Sequence, residues 1–224
     1  TINGTARIGE MQNAETRSAE ILALMRKVIA RKPTPPMVEA ASADMRRSDI
    51  ENDESTLASY LATLAILGRD SLSGALTLGL ADVLQTHGGV MESKDWIDGD
   101  RAGEEFTRLA SPIQSVKRVA KRATTIAGKP IAESEVALLF LAAANRDPEH
   151  YPHCNHADSR NDSRHVAYGA GAHLCVGKPL AVDVIDIVVR RLACMSKIEL
   201  QPGAEFGKSR ISRKYAHLPV IMKD

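Results

Sequence analysis

Apolar residues along this chain recur mostly three and four apart, the interval that lines one face of a helix. Over residues 14–32 they fall at Ile21, Leu24, Met25, Val28 and Ile29, which predicts an amphipathic helix stopped by Pro33, Pro35 and Pro36. A shorter helix is predicted over 37–47. Over 57–84 helix formers continue for roughly seven turns, long for a globular helix. Its middle carries Arg69 and Asp70 between apolar neighbours, and a charged pair there is costly unless exposed or paired. A further helix is predicted over 100–109, where Glu105 and Arg108 stand three apart on one face. Beyond Pro179 the positions Ala181, Val184, Ile185, Val188, Val189 and Leu192 mark the buried face of a last helix.

The remainder reads differently. Residues 111–120 form extended chain, 127–130 a turn, and the apolar run 136–141 a buried segment. Residues 145–174 make a long connection without regular structure, which in a compact domain is usually functional. Two strand-like stretches, 198–201 and 217–222, predict a small sheet near the C-terminus. The fold class is therefore mainly α with small β-sheets (α+β), a single domain over 1–224.

Composition narrows the possibilities. At 224 residues the chain can bury a substantial core. Lys plus Arg number 29 against 28 Asp plus Glu, so neither a nucleic acid nor a membrane surface is implied as a partner. Three cysteines without regular spacing argue against a disulfide framework and for a reducing, cytoplasmic setting. The longest apolar stretch, 136–144, is far too short to span a bilayer, and no signal peptide is visible. The chain opens on Thr1, which reads as a processed or cut N-terminus.

The strongest chemical signal lies just before the last helix, in H-V-A-Y-G-A-G-A-H-L-C-V-G-K-P-L-A from His165. Gly169, Gly171 and Gly177 lack side chains, so the loop backbone can lie flat against something broad. Cys175 stands on the approach to a helix N-terminus, where free N–H groups and the helix dipole favour a thiolate, the metal-binding form of cysteine. A dinucleotide fingerprint would need glycine at Leu174, and a phosphate loop would need glycine at Ala172 and Ser or Thr at Pro179. A flat partner with one sulfur ligand points instead to haem held by an axial cysteine. A buried structural cysteine in a glycine-rich turn is the competing account.

The run Tyr168-Gly169-x-Gly171-x-His173-x-Cys175-x-Gly177 resembles the haem-binding signature of the cytochrome P-450 family, with Tyr where Phe is usual. The resemblance implies haem b, Cys175 as the axial ligand of its iron, and His173 at a propionate. It extends to other stretches. Leu67-Gly68-Arg69-Asp70-Ser71 is similar to the family's Ala-Gly-x-Asp/Glu-Thr on the helix that crosses the open haem face. There Gly68 would admit close approach of the backbone, and Asp70 and Ser71 would relay protons. Ser in place of Thr keeps the hydroxyl without the methyl, and Leu67 in place of Ala narrows the space over the iron.

Glu105-x-x-Arg108 resembles the family's structural pair, completed by a second arginine at the position of Arg160. Arg118 matches an arginine that grips a haem propionate, and 142–148 is again similar to the family. The resemblance runs from about residue 14 to the end and lacks the family's N-terminal portion. The chain is thus either a piece of a longer enzyme or a naturally short relative. The implied reaction is monooxygenation of a small organic substrate, with electrons from a ferredoxin or flavoprotein. Two alternatives stand beside it: a haem-binding relative without monooxygenase activity, and a zinc-stabilised interaction domain built on His150, His153, Cys154 and His156.

Overall fold

The computed structural model describes residues 4–95, 102–157, 164–208 and 212–224, and side chains from residue 15 onward. Six α-helices and nine short strands lie among these residues, so the protein is mainly α with small sheets. The chain divides into two compact units, Thr1–Arg69 and Asp70–Asp224.

The first unit holds α1 (Gly4–Ile29), α2 (Pro36–Arg47) and the start of α3 (Glu54–Thr86). Helix α1 begins at Gly4 rather than at residue 14, because Ala, Arg, Glu and Met propagate a helix without a regular apolar stripe. Pro36 opens α2, where a missing N–H costs nothing. Asp53 caps α3: its carboxylate accepts from the backbone N–H of Ser55 at 2.7 Å and of Thr56 at 3.1 Å. Val38, Ala41, Met45, Leu57 and Leu61 form this unit's core, with Met25, Val28, Ile29 and Tyr60 packed against it.

The second unit holds the rest of α3, then β1 (Val90–Glu92), α4 (Ala102–Ala110) and β2 (Val116–Val119). Next come β3 (Thr124–Ile126), β4 (Lys129–Ile131), β5 (Val136–Leu139) and α5 (Leu141–Ala144). Last are α6 (Lys178–Ala193), β6 (Lys197–Leu200), β7 (Glu205–Phe206), β8 (Tyr215–His217) and β9 (Val220–Lys223). Leu84, Met91, Phe106, Ile185, Val189 and Ile198 are fully buried and join α3, α4, α6 and the sheet β1–β6–β9 into one core. A Cβ at Gly79 would come within 2.3 Å of the Phe106 ring, so α3 offers that ring a surface only glycine leaves open. Helix α6 buries Ile185, Val189 and Leu192, the stripe its periodicity predicts.

Two expectations need correction. The run 136–141 is not buried as a whole. It forms β5, whose only strand partner among the described residues is β2, and Val136, Leu138, Leu139 and the following Phe140 are exposed. Apolar alternation cannot reveal whether a second layer covers a ribbon. The predicted strand 217–222 is two strands, β8 and β9, because Pro219 breaks the ladder and the halves join different partners. The turn at 127–130 is a tight hairpin between β3 and β4, with φ of +47° at Ala127 and +77° at Gly128.

Candidate functional site

The second unit is braced by an arginine. Arg108, on α4, is completely buried, and its guanidinium takes both oxygens of Glu105 at 2.9 Å. Its remaining donors reach the carbonyls of Asn145 at 2.7 Å, Cys154 at 3.0 Å and His156 at 2.9 Å. The guanidinium also lies 4.6 Å over the Tyr151 ring. A buried charge is tolerable only when paired and fully hydrogen-bonded, and here both conditions hold. The buried side chain of Asn145 extends the network: its Nδ2 donates to Ser111 Oγ at 2.7 Å, and its Oδ1 accepts from Val166 N–H at 2.7 Å. The long connection after α5 thus hangs from α4 by carbonyl contacts rather than by regular structure. Arg160, expected to join this pair, lies outside the described residues.

That network delivers the chain to the cysteine loop. Gly169 N–H donates to the Val166 carbonyl at 2.9 Å, and Gly169 adopts φ of +74°. A single 3-10 turn follows, Gly171–His173, entered through Gly171 at φ of +72°. Both values lie in the left-handed region, where a side chain is strained. Cys175 N–H donates back to the Tyr168 carbonyl at 3.0 Å, which folds the loop on itself just ahead of α6. Cys175 is a free, exposed thiol, and a Cβ at Gly177 would sit 3.9 Å from its sulfur.

Tyr168 holds the loop against α4. Its hydroxyl lies 3.4 Å from Thr107 Oγ1, and burial pushes its pKa up to about 12. Glu104, also on α4, meets His165 Nε2 at 2.5 Å and Lys178 Nζ at 3.3 Å. The hydrogen bond from His165 holds the Glu104 carboxyl well below the usual range, at about 2, although burial works against it. Across the helix, Gly103 N–H donates to Asp186 Oδ1 at 2.9 Å and fastens α4 to α6.

The structure therefore brings Tyr168, Gly169, Gly177 and Cys175 together, with His173 exposed on the same loop. Arg118 is exposed on β2, with its guanidinium donating to the Lys117 carbonyl at 2.9 Å. Gly68 belongs to the first unit, and nothing would meet a Cβ there within 4 Å. Asp70 and Ser71 belong to the second. The Asp70 carboxylate is held by Ser212 Oγ and Lys214 Nζ, which offsets the cost of a charge in an apolar stretch of helix. Asn145, Glu104 and His165 are structural participants that motif reading did not single out. A cavity of about 430 Å³ lies among Asp82, Gln114, Arg146, Phe206, Arg213 and Tyr215, and none of the predicted site residues lines it. Among the described residues no three His, Cys, Asp or Glu side chains gather as a metal site, so the zinc cluster is not assembled. No described helix is long and apolar enough to cross a membrane.

A soft, unpaired thiol on a loop with two left-handed glycines suits a planar macrocycle with one sulfur ligand. The surroundings fit as well. Leu174 and Val176, which flank Cys175 in the chain, are 52% and 84% exposed, an apolar surface that a porphyrin face could cover.

The cytochrome P-450 family model matches residues 101–203, the segment that holds α4, the buried arginine network and the cysteine loop. The chain is 27% identical over 222 residues to 6-deoxyerythronolide B hydroxylase of Saccharopolyspora erythraea, covering 93% of this chain and 55% of that protein. It is 32% identical over 158 residues to cytochrome P-450 165B3 of Amycolatopsis orientalis, covering 67% of this chain and 38% of that one. Among solved structures, the P-450 monooxygenase TamI with tirandamycin C bound superposes with a TM-score of 0.74 at 26% identity. That superposition covers 93% of this chain and 54% of TamI. The segment 101–203, which carries the cysteine loop, belongs to the cytochrome P-450 family, whose cofactor is haem b. The chain spans between 23% and 55% of the length of curated relatives such as these.

Proposed function

We propose that this chain carries the haem-thiolate part of a monooxygenase, with Cys175 as the axial ligand of haem b. The observation that carries this reading is the free, exposed thiol at the turn into α6, on a backbone shaped by Gly169 and Gly171. A thiolate-ligated haem supplies oxygen activation, and so the insertion of one oxygen atom into a small organic substrate. The chain's own residues would bind and orient. Tyr168 would brace the loop that holds the haem, and Gly177 would leave room beside the sulfur. His173 and Arg118 would each hold a propionate; the exposed Arg118 guanidinium is a fork that suits a carboxylate. Gly68 would leave the backbone of α3 open to the ligand side. Ser71 and Asp70 would hold and move protons there, with Asp70 drawing on Lys214 and Ser212 as its partners. Electrons would come from a ferredoxin or flavoprotein donor.

One observation favours a second reading. The Asp70 carboxylate is already engaged by two side chains, as expected of a structural tie in a haem-binding relative without monooxygenase activity. Single-turnover oxidation separates the two. Haem-loaded protein is reduced chemically, exposed to dioxygen and offered a panel of small organic substrates. A product carrying one added oxygen, diminished in Ser71→Ala, supports the monooxygenase. No product from any substrate, with a thiolate-type carbon monoxide spectrum intact, supports the silent relative.

A further inference from the structure

Glu104 grips the cysteine loop at both ends. His165 opens the loop and Lys178 is the first residue of α6 after it, and one carboxylate meets both, at 2.5 and 3.3 Å. The His165 side chain is almost fully buried, at 4% exposure. Its Nδ1 accepts from Ala167 N–H at 3.2 Å, so Nε2 carries the proton that Glu104 accepts. A single ring orientation satisfies both partners. Tyr168 sits within the same frame, its ring 5.6 Å from the His165 ring and 5.4 Å from Lys178 Nζ. An exposed ion pair such as Glu104–Lys178 contributes little alone, but the same carboxylate also accepts from the buried His165 and so ties two points on either side of one irregular loop.

We propose that Glu104 is a positioning residue for the Cys175 sulfur: by holding His165 and Lys178 together on α4, it fixes the span of the loop that carries the thiol. The consequence for iron ligation rests on the haem reading above. The consequence for the loop concerns the chain alone.

The test uses the full chain with and without haem. Without haem, amide hydrogen exchange is followed in peptides from the loop, from α6 and from the sheet β1–β6–β9. Glu104→Ala is expected to speed loop exchange about tenfold while α6 and the sheet stay protected. Glu104→Gln, which still accepts from His165 but loses the charge for Lys178, is expected to fall between, as is Lys178→Met. If Glu104→Ala unfolds the chain, the other two variants decide. With haem, the ferrous–carbon monoxide Soret band of each variant is expected to lose thiolate character in the same order. Unchanged loop exchange in all folded variants overturns the proposal. Faster loop exchange in a chain that binds no haem through Cys175 supports the clamp and refutes the haem reading instead. A normal wild-type haem spectrum with no response to any variant does the reverse.

Discussion

The guanidinium of Arg108 meets both carboxylate oxygens of Glu105 at 2.9 Å, and both side chains are buried. Three backbone carbonyls take the rest of its hydrogen-bonding capacity. A lysine ammonium cannot form the paired bonds to the carboxylate and reach those carbonyls as well. Arg108→Lys keeps the charge but strands buried carbonyl acceptors, and is expected to lose about 1–3 kcal/mol for each one left unsatisfied. Urea unfolding followed by circular dichroism measures it. A variant as stable as wild type would show that the network braces nothing.

Two glycines on α3 should respond oppositely. A Cβ at Gly79 collides with the Phe106 ring, which is itself packed in the core, so Gly79→Ala is expected to destabilise by about 1–3 kcal/mol. A Cβ at Gly68 meets nothing, and alanine there should stabilise the haem-free chain by up to about 1 kcal/mol through helix propensity. Thermal melts of the two variants compare them directly. Equal shifts of the same sign would contradict the packing described for Gly79.

Acid should loosen the loop through Glu104. In the folded chain this carboxyl stays ionised down to a pKa of about 2, because His165 donates to it, against an ordinary value of 4.5. Between those values the unfolded chain binds more protons than the folded one. Stability from Glu104 is therefore complete above about pH 4.5 and is lost progressively as pH falls toward 2. Glu104→Gln removes this titration. Its unfolding free energy should depend less steeply on pH across that window than that of wild type. Parallel profiles would contradict the assignment.

Much of the fold was legible because it is local. The α6 stripe Ile185, Val189 and Leu192, the breaks at Pro33 and Pro35, and the glycine spacing around Cys175 are all written in near neighbours. What escaped depends on distance. Glu104 and His165 stand 61 positions apart, and Asp70 and Lys214 stand 144 apart, so no spacing rule connects them. Asn145 lay in a stretch marked by resemblance alone, and its bonds to Ser111 and Val166 emerge only once α4 and the loop are assembled. The ribbon β2–β5 misled for another reason: apolar side chains report an intention to be covered, whereas Val136, Leu138 and Phe140 stand exposed here.

The central claim is that the sulfur of Cys175 is the axial ligand of haem iron. It is tested most directly by loading the chain with haem, reducing it and recording the carbon monoxide difference spectrum beside Cys175→Ala. A Soret band at the position given by thiolate ligation, absent from Cys175→Ala, is the predicted result. The same band in both proteins, or a wild-type band at the position of a nitrogen ligand, would contradict the account.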